Sequence, residues 1–345
     1  MNTTIKEIAR KANVSLGTVD RVIHDRGKVA KKTKDKILKI LEETGYKPNI
    51  YARGLVLNKS YTIAALIPDY NKGDYWELPS LGLNSAAQHL SQYNIKLEYF
   101  HFDQNNPDCF KEKSHVLLRS NPDGVIIAPV VNFEASYLCK KLNHLKIPFS
   151  FIDSKMEETE YMSFIGQDSF QSGKLAAKLI NSLVYEKGKI LIISIRNNSE
   201  FNKTLQKRIE GFNYFFEELD SAQKLEIEEF SIDQNISNWD KELKEILKSR
   251  NASGVYVPSS TVYHVARIIE DSQLKIKLVG NDLIKKNIQY IASGIIDYVI
   301  GQRPEQQGYL AFDNFYKYLI TGQKVTRDNY LPLDIVTKEN LYYYK

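Results

Sequence analysis

The sequence predicts an α/β protein, with a small all-α helix-turn-helix headpiece followed by two doubly wound parallel-sheet lobes. Three observations carry this. Residues 4–23 read as two short helices around a tight turn, a shape that fits the DNA major groove. From residue 62 onward, apolar runs of strand length alternate with amphipathic stretches of helix length, the pattern of parallel sheets covered on both faces. Charge divides the same way: residues 1–60 hold 14 Lys and Arg against 6 Asp and Glu, whereas the remainder hold 33 against 36. A basic surplus confined to one small module is the footprint of phosphate binding.

Taken in order, Thr4 and Glu7 have the spacing of a capping box, and Ile5, Ile8, Ala9 and Ala12 give the first helix one apolar stripe. Asn13 and Val14 end it. Ser15 caps a second helix in which Thr18, Val19, Val22 and Ile23 face inward, while Leu16, Gly17, Asp20, Arg21 and His24 point away, toward base edges and phosphates. After a turn at Asp25, Arg26 and Gly27, a third helix runs over 33–44 with Ile37, Leu38, Ile40 and Leu41 inward and Gly45 as its stop. Pro48 and Asn49 break the pattern. Residues 50–57 have room for one or two helical turns, too short to stand alone, and read as a hinge.

Strand-like runs then fall at 62–67, 95–102, 124–129, 149–153, 164–166, 189–195, 225–232, 254–257, 278–280, 298–300 and 331–336. Helical stretches lie between them at 83–93, 108–119, 171–183, 203–219, 239–250, 262–271 and 305–320. So many strands predict two similar lobes in series, with a boundary near 157–161. Ligands of open α/β sheets sit beyond the carboxyl ends of the strands, so facing lobes enclose a cleft.

At 345 residues and 43% hydrophobic, the chain has room for two or three units of about 150 residues. No apolar run reaches the roughly 18 residues of a membrane span, and the first residues lack the pattern of a secretion signal, so a cytoplasmic protein without membrane contact is expected. Two cysteines, Cys109 and Cys139, make no disulfide framework, and six scattered histidines show no metal spacing. The glycine-rich nucleotide loops and the nucleophile elbow are missing as well. Neither an enzyme nor a cofactor is expected.

These residues resemble the LacI/GalR family of bacterial transcription regulators over essentially the whole chain. The amino-terminal likeness runs through Thr4, Ile5, Lys6, Glu7, Ile8 and Ala9, then Ala12, Asn13, Val14, Ser15, Thr18, Val19, Arg21 and Val22. It continues through 31–37, Gly45, Tyr46, Lys47, Pro48 and Asn49, and Ala52, Arg53, Gly54 and Leu55. The resemblance implies that Leu16, Gly17 and Arg21 face bases, and that Ser15, Thr18 and Asn49 touch phosphates or cap helices. Leu55 would be the apolar wedge of a hinge helix in the minor groove, flanked by Ala52 and Arg53. Gly17 and Asp20 depart from the residues common there, and Gly54 weakens the hinge helix by about 1 kcal/mol relative to Ala.

The segments 165–179, 208–212, 279–282 and 292–308 resemble the family's sensor. The resemblance implies a periplasmic-binding-protein-like fold that crosses between lobes three times. The domains are then 1–47 (DNA binding), 48–60 (hinge) and 61–345 (effector binding and dimerisation). Lobe one covers about 61–160 and 302–325, and lobe two about 161–301 and 326–345. A homodimer on a palindromic operator is implied, acting by default as a repressor released by a sugar-like effector. The alternative is a solute receptor of the same fold without a DNA role.

Sugar-like ligands need paired hydrogen-bonding groups and an aromatic face, because each buried hydroxyl must regain the partners it loses with water. Asp153 and Asp282 end apolar strands, and Arg208 stands where relatives reach their ligand. Tyr70, Tyr75 and Trp76 follow the first strand, Arg196 and Asn197 a second-lobe strand; Ser259 lies beyond Val257, and Gln302 in a crossover. Two acids and up to two arginines leave the effector's charge open. The competing reading makes the two aspartates helix caps, Arg208 a solvated helix charge and Leu55 a core residue.

Overall fold

The computed structural model describes residues 4–23, 29–44, 60–184, 188–196, 203–219 and 225–344. The chain divides into two compact units, Met1–Lys59 and Ser60–Lys345.

In the first unit, α1 (Ile5–Ala12), α2 (Leu16–Ile23) and α3 (Lys31–Thr44) close one small core. Thr4 Oγ1 accepts from the Glu7 N–H at 3.3 Å and the Glu7 carboxylate accepts from Thr4 N–H at 2.8 Å, completing the capping box. Asn13 ends α1 in the left-handed region, φ 57°, a conformation that Asn tolerates through its short polar side chain. Ile8, Ala9, Ala12, Val19, Val22 and Ile37 are buried together. Leu38, expected inside, is instead 45% exposed. Ile37, Ile40 and Leu41 share one stripe, and Leu38 stands about 100° round the helix from Ile37. Gly45 and the hinge expected over 48–60, Ser60 excepted, lie outside the described residues.

The second unit begins with β1 (Tyr61–Pro68), α4 (Glu77–His89), β2 (Ile95–Phe102), α5 (Pro107–Arg119), β3 (Gly124–Ile127), α6 (Asn132–Leu145), β4 (Phe149–Asp153) and β5 (Ser163–Gly166). It continues with α7 (Ser169–Leu183), β6 (Lys189–Arg196), α8 (Lys203–Glu217), β7 (Glu226–Asp233), α9 (Trp239–Ser249), β8 (Ala252–Val257), α10 (Val262–Asp271), β9 (Lys277–Asn281) and α11 (Lys285–Ser293). β10 (Tyr298–Gly301), α12 (Pro304–Phe315), β11 (Asp328–Tyr330) and β12 (Asp334–Val336) complete it.

Two six-stranded sheets result, in the orders β11-β5-β4-β3-β1-β2 and β12-β10-β9-β8-β6-β7. All described pairings are parallel except β10 with β12. The central strands are mostly apolar, and β3 and β4 are buried throughout, because helices cover each side of a parallel sheet. The chain passes between the sheets after β5, after β10 and between β11 and β12.

Two boundaries differ from expectation. β5 pairs with β4 in the first sheet, so lobe one extends to Gly166 rather than to about 160. The single strand expected at 331–336 is two: β11 pairs with β5 in lobe one and β12 with β10 in lobe two. Pro332 stands between them, and a proline cannot donate to a ladder.

Helices meet at backbone distance in each lobe. A Cβ on Gly173 of α7 would stand 1.8 Å from the carbonyl oxygen of Arg208 on α8, and one on Gly82 of α4 would stand 1.9 Å from that of Glu305 on α12. Only glycine permits such an approach. The first crossing fixes the helix that carries Arg208.

Candidate functional site

The headpiece presents the outer side of α2. Ser15 caps that helix, its Oγ accepting from Thr18 N–H at 3.2 Å and lying 2.9 Å from Thr18 Oγ1. Ser15, Leu16, Gly17 and Arg21 are exposed and Thr18 is half-buried. An exposed leucine and glycine at the start of α2, with an arginine in its last turn, are groups that can offer an apolar contact and a cation to a surface outside the helix. His24, Asn49, Ala52, Arg53 and Leu55 lie outside the described residues, as does Asn197.

In the larger unit, polar side chains converge where the strands of both lobes end. Asp153 closes β4 with φ 67° and Asp282 follows β9 with φ 71°. These strands hold matching places in the two sheets. Both turns are left-handed, which Asp tolerates better than most residues, and both carboxylates are buried. Tyr75, on the loop between β1 and α4, donates its hydroxyl to Asp153 Oδ1 at 2.7 Å. Gln307 on α12 accepts from Asp153 N–H at 3.0 Å and donates to the Gln302 carbonyl at 2.9 Å. Gln302 Nε2 donates to Asp282 Oδ1 at 2.7 Å.

Arg208 is 3% exposed. Its Nη1 donates to the Pro258 carbonyl at 2.7 Å and stands 3.8 Å from Asp282 Oδ2. The Gln167 amide, turned so that its oxygen faces the guanidinium, accepts from Nε at 3.3 Å and also from Nη2. Behind Asp282, the Asn287 amide donates to its carbonyl at 2.7 Å and holds the turn.

Burial pushes the Asp153 carboxyl up to about 6, against the Tyr75 hydroxyl and the Arg208 guanidinium, which lower it; Asp282 raises it further. Asp282 is itself raised by burial, with Arg208 and Gln302 opposing. Burial, with Asp153 and Asp282 adding to it, lifts Tyr75 well above the usual phenol range. Carboxylates in so dry a site gain from any ligand that brings hydroxyl or ammonium donors. At the rim, Asp74 of the Tyr75 loop pairs with Lys286 of α11 at 2.9 Å, joining lobe one to lobe two.

Of the sequence candidates, Tyr75, Asp153, Arg208, Asp282 and Gln302 come together. Ser259 is adjacent, following Pro258, and its hydroxyl lies 2.7 Å from Thr261 Oγ1. Trp76 meets Tyr75 edge-on at 5.2 Å but packs into the lobe-one core with Leu83 and Ile67. Tyr70 contacts His101 edge-on at 5.6 Å. Arg196 donates to Ser231 Oγ on β7 and lines a separate cavity of about 260 Å³ with Gln206 and Glu229.

Sequence reasoning missed Gln167 and Gln307. A signal existed for the second: Gln307 is a polar residue on the buried stripe of α12, beside Gly308, Ala311 and Phe315. A larger cavity, about 730 Å³, lies near the opposite ends of β4 and β5, but its polar residues Asn143, Glu160, Gln323 and Lys324 are exposed. Among the described residues, no three His, Cys, Asp or Glu side chains gather as a metal site requires. Nor is any described helix long and apolar enough to cross a membrane.

Comparison with known proteins completes this picture. Residues 4–49 match the lacI family of bacterial regulatory proteins, and residues 63–324 match a periplasmic binding protein domain. The chain belongs to the periplasmic-binding-protein family and carries a LacI-family regulatory domain. Catabolite control protein A of Priestia megaterium is 38% identical over 129 residues, covering 36% of this chain and 36% of that protein. The HTH-type transcriptional regulator RegA of Clostridium acetobutylicum is 31% identical over 186 residues, 53% of this chain and 52% of its own length. The chain thus spans between about a third and about half the length of the curated relatives it matches. A crystal structure from Bacteroides fragilis, assigned as a LacI transcriptional regulator, superposes with a TM-score of 0.78 at 28% identity, covering 83% of this chain and all 100% of that one. In this periplasmic-binding-protein-family chain, Tyr75, Asp153, Arg208 and Asp282 converge at the strand ends of the unit that matches the binding-protein domain.

Proposed function

We propose that the protein is a transcription regulator that binds an operator through its headpiece and releases or tightens that grip when a small sugar-like effector enters the cleft. One observation carries this reading: a LacI-family headpiece with an exposed recognition face is joined to a binding-protein unit whose buried polar residues converge between two lobes. A single recognition helix covers only a half-site, so the working form is a homodimer on a palindrome. Asn49, Ala52, Arg53 and Leu55 supply the hinge contacts in this reading, and His24 a phosphate contact. A regulator that binds operator DNA works where that DNA is, in the cytoplasm, and repression relieved by effector is the expected logic. Effector and operator must influence each other reciprocally, because coupling between two binding sites is a shared free energy.

Selection of bound duplexes from a random pool tests this. The full-length protein should enrich a two-fold symmetric site, and gel shifts on that site should fall sharply for Arg21→Ala and respond to a sugar bound by the cleft. An enriched pool without symmetry, or operator affinity indifferent to every ligand that binds the cleft, refutes it.

A further inference from the structure

We infer that the cleft selects its effector by charge, taking a polyhydroxylated ligand that is neutral or carries an ammonium group and rejecting anionic sugars such as uronates and sugar phosphates. This inference rests on the effector reading above and deepens it.

The charges converging in the cleft do not balance. Two buried carboxylates, Asp153 and Asp282, face one guanidinium, that of Arg208. Three of the five Arg208 N–H groups are engaged, donating to the Pro258 carbonyl and the Gln167 amide, and its charge stands 3.8 Å from Asp282. The second arginine that left the effector's charge open in the sequence, Arg196, is turned to Ser231 on β7. Lys286 at the rim is held by Asp74. Helix amino termini attract anions in many α/β proteins, but that of α7 at the crossing is capped by Asp168, whose Oδ1 accepts from Gln171 N–H at 3.0 Å.

The carboxylates, in contrast, have acceptor capacity to spare. Each offers about four lone-pair sites; the close side-chain donors are Tyr75 to Asp153 and Gln302 to Asp282. A sugar hydroxyl or an amino group supplies the donors that buried carboxylates lack. A ligand carboxylate or phosphate adds a third negative charge in a site drier than water, where repulsion between like charges is several-fold stronger.

The test uses the full-length protein and matched sugar series: glucose, glucosamine, glucuronate and glucose phosphate, with the corresponding galactose and mannose sets. Thermal shift followed by titration calorimetry should show, in whichever series binds, the neutral or amino member at least about tenfold tighter than its anionic counterparts. In Asp153→Asn, which removes one of the two negative charges, that gap should narrow, mainly because the neutral member is lost. A uronate or sugar phosphate that binds best overturns the charge inference while leaving the effector reading intact. Failure of every series to bind overturns both.

Discussion

Asp153→Asn should make the ligand-free protein more stable at neutral pH while weakening binding at the proposed effector site. Asn keeps the size of Asp, tolerates the left-handed turn at φ 67° and still accepts from the Tyr75 hydroxyl. What it loses is the buried charge. The groups facing that charge are Tyr75 from the first loop, Arg208 from α8, Asp282 after β9 and Gln302 from the crossing, and burial outweighs their help, lifting the carboxyl from 3.8 to about 6. A carboxyl raised on folding binds its proton more tightly in the folded state, so its contribution to stability is complete below 3.8 and is lost as pH rises through about 6. That interval corresponds to about 3 kcal/mol at about 1.4 kcal/mol per pH unit. Asn escapes this loss. Urea unfolding of the larger unit should therefore show a gain of about 3 kcal/mol at about pH 8, roughly half as much at about pH 5, and almost none below about pH 4. Calorimetry on the same variant should show effector binding greatly weakened. A variant less stable than the parent at the higher pH, or a gain that does not change with pH, refutes the reasoning.

Three further outcomes follow from the packing. Gly173→Ala places a methyl 1.8 Å from the Arg208 carbonyl oxygen, which must force α7 from α8; thermal unfolding should report a loss on the order of 2–4 kcal/mol, with weaker effector binding as Arg208 shifts. Ser15→Ala removes the cap on Thr18 N–H and should cost about 1 kcal/mol of headpiece stability, read by circular dichroism melting and as weaker operator binding. Asp74→Lys and Lys286→Glu each break the pair between the lobes. Because both side chains are partly exposed, each should weaken effector binding by no more than about fivefold, equivalent to about 1 kcal/mol, and the double exchange should restore it; calorimetry at low and high salt should show the effect shrinking as salt rises.

Where a feature depends on neighbours in sequence, it was legible. The Thr4 and Glu7 capping box, the left-handed Asn13 and the Ser15 cap are each completed within a few residues, and the apolar runs of the central strands are paired much as their composition announces. The strand-end aspartates could be singled out because an acid closing an apolar run is conspicuous. Leu38 misled because a leucine beside a stripe looks like part of it until the partner helices are in place. Gln167 and Gln307 give no such signal because the charged partners they serve are far away in the chain: Gln167 meets Arg208, and Gln307 meets Asp153, 154 positions distant.

By itself, then, the sequence determined the headpiece, the alternation of strands and helices, and the acids and arginine that converge in the cleft, since helical and strand periodicity and capping are properties of a few adjacent residues. Only the tertiary structure decided that β5 belongs to the first lobe, that the last strand divides at Pro332, that Arg196 turns aside to Ser231, and that two buried aspartates gather near one guanidinium. Those outcomes depend on which distant segments pack together, and long-range packing leaves little trace in local periodicity.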